Sequence, residues 1–499
     1  MTDQQFLDRL RDWLPRQRWF PFTATPDQLR LSVVGRATLD SGTGSHRGTE
    51  RIMFLVQVTV GERSELLNVP VVRSTEALPE LERFAIGSYC SGGPDRPLPE
   101  QLIAGAEASA SFLRRAISHA GSFRERRRSE RSRTAQPITS EDSPEAGQTA
   151  GAQEKAGASG RSEARADAQG SESTTADETA RFHLYDAVGD PGFMDRVLRI
   201  MDAQLTEGGV LRHGMGLHGR YTGAMNTDYR IGSADQVRVI SSEQSNTSVI
   251  LTPQDAEDSD SALGGDAVIV KFFRVVGEGR NPDVEVGVKL TSHGSTAVPA
   301  TAGWLDAQWR QGLVTTSGQL AVAAQFLADS RDAWAMALDA ASHARDFSEL
   351  AAELGATTAR VHADLLGAFD PVTADDDARR RFLDDLASRI RWAWESCGDY
   401  FDSYRAEVED LLEQLSRIRE IPALQRIHGD YHLGQVLHND AQGFRILDFE
   451  GEPLRPIKER VRPDVALRDV VGMLRSFDYA GAMAARERDE DMSAWTDAV

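Results

Sequence analysis

The sequence has little cysteine and a deficit of positive charge. It contains two cysteines, Cys90 and Cys397, among 499 residues. One bridge is the most they could form, and free thiols of a cytosolic protein are the simpler interpretation. The 56 Lys and Arg residues are outnumbered by 77 Asp and Glu residues, which gives a formal charge of −21. Because nucleic-acid backbones are bound by clustered basic residues, this balance argues against a nucleic-acid partner.

Long apolar runs are also missing. The first ten residues, MTDQQFLDRL, lack the apolar core of a signal peptide. Uninterrupted apolar segments fall short of the length of a membrane span. With 40% hydrophobic residues the chain can still bury sizeable cores, and its length allows about two or three domains. We therefore expect a soluble, cytoplasmic protein without a membrane partner.

Residues 426–450, RIHGDYHLGQVLHNDAQGFRILDFE, carry the strongest chemical pattern. Two short apolar runs, 435–438 and 444–447, flank the turn former NDAQG and predict a β-hairpin. Paired strands would gather Asp430, Gln435 and Asp448 at the open end, as one candidate base and two oxygen ligands for a hard cation. Phosphoryl transfer needs this arrangement. Taken singly, each fragment is also compatible with an ordinary turn.

This stretch resembles the catalytic and metal loops of the aminoglycoside phosphotransferase and protein-kinase-like superfamily. More narrowly, HGDYHLGQVL (428–437), DFEGEP (448–453) and RDVVGMLRSFDYA (468–480) resemble the maltokinases and the related glucosamine kinases. The resemblance implies an α+β, bilobal protein-kinase-like fold with an N-terminal cap subdomain. It also implies ATP and Mg²⁺ as cofactors.

The resemblance leaves three functional alternatives. A maltokinase would convert ATP and maltose into ADP and maltose 1-phosphate for glycogen or α-glucan synthesis, and the family resemblance then suggests association with trehalose synthase. A glucosamine kinase would make glucosamine 6-phosphate. A catalytically weak nucleotide-binding or partner-binding protein is the third alternative. The first two differ in the acceptor pocket and not in mechanism.

Residue roles follow from the same resemblance. Asp430 is the implied catalytic base, and Gln435 and Asp448 are the implied magnesium ligands, although many relatives carry Asn where this chain has Gln435. Lys271 lies in a predicted strand, 267–273, and is implied to bind the α- and β-phosphates. Glu285 follows at the start of the next predicted helix and is implied to hold Lys271 by an ion pair.

Further positions are assigned with less detail. Four small polar residues resemble the family's phosphate loop and are implied to contact the nucleotide: Ser245, Asn246, Thr247 and Ser248. Arg468 and Asp469 resemble a helix start that braces the catalytic loop. Glu450 either assists the metal or faces solvent, and the sequence leaves that choice open.

The chain divides by composition into four segments. Residues 1–120 form the expected cap, with a helix over 4–14 and strands near 51–60 and 66–72, and residues 121–180 form a predicted disordered, low-complexity insertion. The nucleotide lobe is expected within 181–326 and a helical lobe within 327–499, where apolar stripes at 347–365 and 401–418 are predicted to be core. Relatives continue for several dozen residues past the third motif, so we expect this helical lobe to be incomplete.

Overall fold

A computed structural model describes residues 3–40, 48–90, 181–208, 214–223, 236–240, 245–252, 267–397, 402–452 and 457–499. The strands are β1 Arg30–Asp40, β2 Thr49–Val60, β3 Arg63–Ser74, β4 Ala85–Cys90, β5 Arg181–Asp186, β6 Thr206–Gly208, β7 Met215–Tyr221, β8 Val237–Val239, β9 Asn246–Leu251, β10 Val268–Phe273, β11 Thr301–Gln311, β12 Val314–Gln325, β13 Arg331–Asp332, β14 Val436–Asn439 and β15 Gly443–Ile446. The helices are α1 Asp3–Trp13, α2 Pro191–Asp202, α3 Pro282–His293, α4 Ala333–Ser342, α5 Ser348–Ala368, α6 Asp376–Cys397, α7 Arg405–Arg417, α8 Ile457–Arg460, α9 Leu467–Arg488 and α10 Ser493–Ala498.

The cap is an antiparallel sheet in the order β1-β2-β3-β5-β4, with α1 packed on it. Helix α1 ends before Pro15, as predicted, because proline cannot continue the helical hydrogen bonds. Its apolar side, including Phe6 and Leu10, is buried on the sheet. The rings of Trp13 and Trp19 meet edge to face with centroids 5.6 Å apart. The predicted strands and the aromatic closure of this small core are confirmed.

A second antiparallel sheet, in the order β6-β7-β11-β12-β10-β9-β8, lies in the segment predicted to be the nucleotide lobe. Strand β10 lies between β12 and β9, so Lys271 is opposite Val322 on one side and Ser248 on the other. Helix α3 follows β10. The Asn281 side chain caps it by accepting a hydrogen bond from the Asp283 amide (2.9 Å).

A buried arginine joins the cap to this second sheet. Arg274 is 0% exposed, and its Nη2 atom lies 2.6 Å from Asp186 Oδ2 at the end of β5. Its Nε donates to Thr247 Oγ1 on β9 (2.8 Å), and its guanidinium carbon lies 4.6 Å from the centroid of the Trp19 ring. One side chain therefore contacts both sheets and the aromatic core of the cap.

The remaining part is mainly helical around a small sheet, β13-β14-β15. The apolar face predicted for 347–365 is confirmed, because Leu354, Val361 and Leu365 of α5 are buried against that sheet and α9. Within the described ranges, no helix has a stretch both long and apolar enough to cross a membrane.

The predicted core face of residues 401–418 is wrong for most of α7. Leu415 is buried, but Leu411 is 44% exposed and Tyr404 is 55% exposed. Helix α7 packs beside α6, where Val408 and Ile418 are only half-buried, while Leu411 and Tyr404 lie at the surface. An amphipathic pattern predicts which residues share a face, but it does not supply the partner that covers it. The predicted disordered insertion, 121–180, lies outside the described residues.

Candidate active site

The predicted hairpin is present. Strands β14 and β15 pair antiparallel, with Val436 opposite Ile446 and Asn439 opposite Gly443. At the open end the Leu447 amide donates to the Gln435 carbonyl (2.9 Å), and the Gln435 side chain hydrogen-bonds to Asp448. Two of the three residues predicted to meet there, Gln435 and Asp448, are therefore in direct contact.

The chain turns sharply at Asp448. Its φ of 61° is left-handed, a conformation that residues with a Cβ rarely adopt and that clusters at functional sites. The turn directs the Asp448 carboxylate toward Lys271, whereas Phe449 is buried beside His428 with ring centroids 4.8 Å apart. A Cβ built on Gly429, which has a φ of 85°, would lie 3.4 Å from the Cα of Gly451. The loop that carries Asp430, called the catalytic loop below, therefore closely approaches residues 448–451, called the metal loop below; both names refer to predicted roles.

Lys271 reaches from the nucleotide sheet into a group of three carboxylates. Its ammonium nitrogen lies 2.6 Å from Glu450 Oε1, 2.8 Å from Asp448 Oδ1 and 3.2 Å from Asp283 Oδ2. Burial by itself would lower the pKa of Lys271, but the three negative charges raise it well above its ordinary value. The side chain is therefore a permanent cation at the centre of the site.

The two metal-loop carboxylates differ in charge preference. Burial opposes ionisation of both, but the charge and hydrogen bond of Lys271 hold the pKa of Asp448 below its usual range. Burial raises the pKa of Glu450, and the neighbouring charges of Asp448 and Asp283 add to this against the attraction of Lys271. The sequence left open whether Glu450 faces solvent. In the structure its carboxylate instead contacts Lys271 and accepts a hydrogen bond from Asn246 Nδ2 (2.9 Å).

The same group suits a divalent cation. Oxygen atoms of Asp283, Asp448 and Glu450 all lie within 4.8 Å of one another, and the Gln435 amide is beside them. Carboxylate and amide oxygens are the donors that Mg²⁺ prefers, so the residues present fit the predicted ion.

Asp430 lies on a loop that is hydrogen-bonded to the N-terminal turn of α9. Asp469 accepts hydrogen bonds from the His428 amide (2.8 Å) and the Gly429 amide (2.9 Å), and from His362 Nε2 (3.0 Å) if that nitrogen is protonated. The His428 ring bridges to the hairpin through the Leu447 carbonyl (2.8 Å). The bracing that the sequence implied for Asp469 is present: its carboxylate holds two backbone amides of the loop, and the His428 side chain ties the same loop to the hairpin.

The predicted pairing of Glu285 with Lys271 is corrected by the structure, in which Asp283 takes that place. Residues two apart on a helix point about 200° apart, so only one of these acids can face β10. Asp283 also accepts a hydrogen bond from the Phe449 amide (3.0 Å), which ties α3 to the metal loop. Glu285 lies instead 3.6 Å from Arg426 and 3.9 Å from Arg280.

The four residues of the predicted phosphate loop likewise do not all place their side chains on the same side of the sheet. Asn246 and Ser248 share the face of the sheet that carries Lys271, because side chains alternate along a strand. Thr247 points to the opposite face and is held by Arg274, so a direct nucleotide contact by its side chain is not supported. Ser245 is an exposed residue just before β9.

Two of the acids in contact with Lys271 were missed or left undecided by sequence reasoning. Asp283 stands two residues before Glu285 in the same capped helix start, which is the signal that could have identified it. Glu450 was considered without a commitment. His432 has a local role, since its Nδ1 atom accepts a hydrogen bond from the Gly434 amide (3.1 Å).

A strand lysine, an acid from the following helix, and one aspartate on each side of a hairpin are the arrangement expected of a kinase-like phosphotransferase. Sequence comparison agrees with this class. Residues 268–495 match the Phosphotransferase enzyme family (APH), and residues 13–97 match the Maltokinase N-terminal cap domain. Residues 268–495 are therefore a domain of this phosphotransferase family, and the chain as a whole is similar to its maltokinase- and glucosamine kinase-like members.

Two individual relatives have less than 30% sequence identity to this chain. A glucosamine kinase of Streptacidiphilus jiangxiensis is 29% identical over 260 residues, which cover 48% of this chain and 57% of that protein. A glucosamine kinase of Mycolicibacterium smegmatis is 28% identical over 242 residues, which cover 46% of this chain and 59% of that protein. The matched regions thus span less than two thirds of either relative.

A solved glucosamine kinase, in complex with glucosamine, ADP and inorganic phosphate, has a similar fold. The TM-score is 0.51 at 18% identity, over 96% of this chain and 82% of that one. The likeness supports the fold: a kinase-like phosphotransferase architecture with an N-terminal cap.

Proposed function

We propose that this protein is an ATP-dependent kinase that transfers the γ-phosphate of ATP to a hydroxyl group of a sugar. The observation that carries the proposal is the ammonium of Lys271 placed between the acid of α3 and the two acids of the metal loop, beside the loop of Asp430. Such a site offers a fixed cation for phosphates, oxygen donors for Mg²⁺ and a carboxylate that can accept a proton.

In this proposal Asp430 accepts the proton of the attacking sugar hydroxyl. The ammonium group of Lys271 gives up contacts with some of the three carboxylates and binds the nucleotide phosphates instead. Asn246 and Ser248 lie on the same face of the sheet as Lys271. Gln435, Asp448 and Glu450 are placed to hold Mg²⁺, which would neutralise phosphate charge when bound. Asp469 keeps the Asp430 loop in position through the amides of His428 and Gly429.

Two acceptors are favoured by separate observations. Glucosamine is favoured by the names of the two relatives described above, which are both glucosamine kinases. Maltose is favoured by the cap, which matches a maltokinase domain. We infer that one of these two sugars is the substrate. Association with trehalose synthase, a cytoplasmic location and a place in glycogen synthesis remain predictions.

The test is release of ADP from Mg²⁺-ATP by the full chain, with glucosamine, maltose, glucose or no acceptor. We expect turnover with glucosamine or maltose well above the rate without acceptor. The variant Asp430→Asn should lose about 10²–10⁴-fold in kcat, the usual contribution of a general base, and should retain ADP binding. Release of ADP that is independent of any acceptor, or normal turnover by Asp430→Asn, would refute the proposal.

A further inference from the structure

Glu285 does not form the predicted ion pair with Lys271. It lies instead near Arg426, an arginine that is almost fully buried. Arg426 is 5% exposed and lies four positions before Asp430, at the entry to the catalytic loop. Its Nη1 atom donates to the Val461 carbonyl (2.7 Å), and its guanidinium lies 5.7 Å from the centroid of the Phe369 ring. The charge of Arg426 is therefore enclosed by the helical lobe.

One nitrogen of this guanidinium has no hydrogen-bond acceptor among the described residues. Nη2 is buried, and Glu285 Oε2 on α3 lies 3.6 Å away. That separation allows charge attraction but is too long for a hydrogen bond, for which 2.7–3.2 Å is normal. A buried donor without an acceptor is unfavourable, and a sub-ångström approach of α3 would satisfy it with a charge-assisted bond.

The first turn of α3 is also where a bound nucleotide would act. Asp283, on the same turn as Glu285, contacts Lys271 and the amide of Phe449. Phosphates would compete for the ammonium of Lys271 and so weaken its hold on Asp283. The contacts that remain on this turn, from Asp283 to Phe449 and from Glu285 to Arg426, both lead to the helical lobe.

We propose that Glu285 and Arg426 form a clasp between the lobes that tightens into a direct hydrogen bond when nucleotide binds, and that positions α3 and the catalytic loop relative to each other. Both are positioning residues, because neither reaches the reacting atoms. The inference rests on the proposed nucleotide site. A contact that is made better in the bound state raises nucleotide affinity by the difference between the two states.

Arg280 provides a matched control. It faces the same carboxylate at 3.9 Å, but its side chain is 78% exposed. The pair with Arg280 should therefore be screened by solvent, whereas the buried pair with Arg426 should not.

The experiment is calorimetric titration of the full chain with Mg²⁺-ADP. A charge-assisted bond gained only in the bound state predicts about tenfold or greater loss of ADP affinity in Glu285→Gln, and little change in Arg280→Gln. Arg426→Lys should lie between them, because it keeps the charge without the planar fork. Equal affinities in Glu285→Gln, Arg280→Gln and the unmodified protein would overturn the clasp. Absence of ADP binding by the unmodified protein would instead overturn the proposed function.

A second measurement needs no substitution and so remains decisive if the variants do not fold. Amide hydrogen exchange is followed across α3 in the unmodified protein, with and without Mg²⁺-ADP. The clasp predicts slower exchange of the last amides of the first turn when nucleotide is present. Unchanged exchange there, at ADP concentrations that saturate the site, would also overturn the proposal.

Discussion

Removal of the Asp186 carboxylate should strongly destabilise the protein. The variant Asp186→Ala deletes the partner of Arg274, whose side chain is 1% exposed against 6% for Asp186. A guanidinium so deeply enclosed cannot recover its hydration by moving into solvent. Breaking a buried ion pair from one side costs about 3–5 kcal/mol, because the remaining charge stays buried without compensation.

Two further variants test this reasoning. Asp440→Ala removes an ion pair of similar length, with Arg331 at 2.7 Å, but those side chains are 83% and 59% exposed. We expect it to cost about 0–1 kcal/mol. The double variant Asp186→Ala, Arg274→Met replaces the pair by apolar groups and should recover most of the lost stability.

The assay is urea-induced unfolding monitored by tryptophan fluorescence. With a denaturant dependence of about 3 kcal/mol per molar urea, a loss of about 3–5 kcal/mol lowers the midpoint by about 1 M or more. A loss in Asp186→Ala as small as that in Asp440→Ala would refute the argument from burial. So would a double variant less stable than Asp186→Ala.

Three further predictions concern the site. Asp469→Asn should lower kcat, since an amide cannot accept all the hydrogen bonds from the catalytic loop and His362. Burial would raise the pKa of Asp469, but His362 and those amides lower it. The stability that the Asp469 carboxylate contributes to the fold is therefore lost as pH falls through the lowered pKa, and the stability of the variant should depend less on acid pH. Gly429→Ala should lower stability by about 1–2 kcal/mol and also kcat, whereas Gly312→Ala, equally left-handed but in open space, should affect stability alone. Because burial raises the pKa of Glu450, kcat/KM should fall on the acid side above the usual glutamate range, and Glu450→Gln should remove that inflection.

Each of these predictions has an opposing outcome. An unchanged kcat in Asp469→Asn would show that α9 does not position the catalytic loop. Equal effects of the two glycine variants on kcat would mean that the close approach of the two loops is unimportant. An acid limb that persists in Glu450→Gln would assign it to another group. Stability is measured by urea unfolding, and activity by ADP release across pH.

The motifs determined much of this protein locally. The hairpin over 435–447, the strand that carries Lys271 and the capped start of α3 were all predictable, because turn formers, β-branched runs and N-caps act on neighbouring residues. The contacts of Asp469 with the catalytic loop were predictable from the resemblance of residues 468–480 to the family motif, because a long, nearly continuous sequence match indicates the same local geometry.

Tertiary structure decided which side chains meet. Sequence placed two acids in the first turn of α3, but only the docking of that helix on β10 selects Asp283 for Lys271 and leaves Glu285 to Arg426. The orientation of β9 likewise separates Thr247 from Asn246, its neighbour in the chain. A rotation of a helix by two residues, or of a strand by one, reverses the facing of a side chain without changing the local pattern, so such choices depend on packing between distant segments.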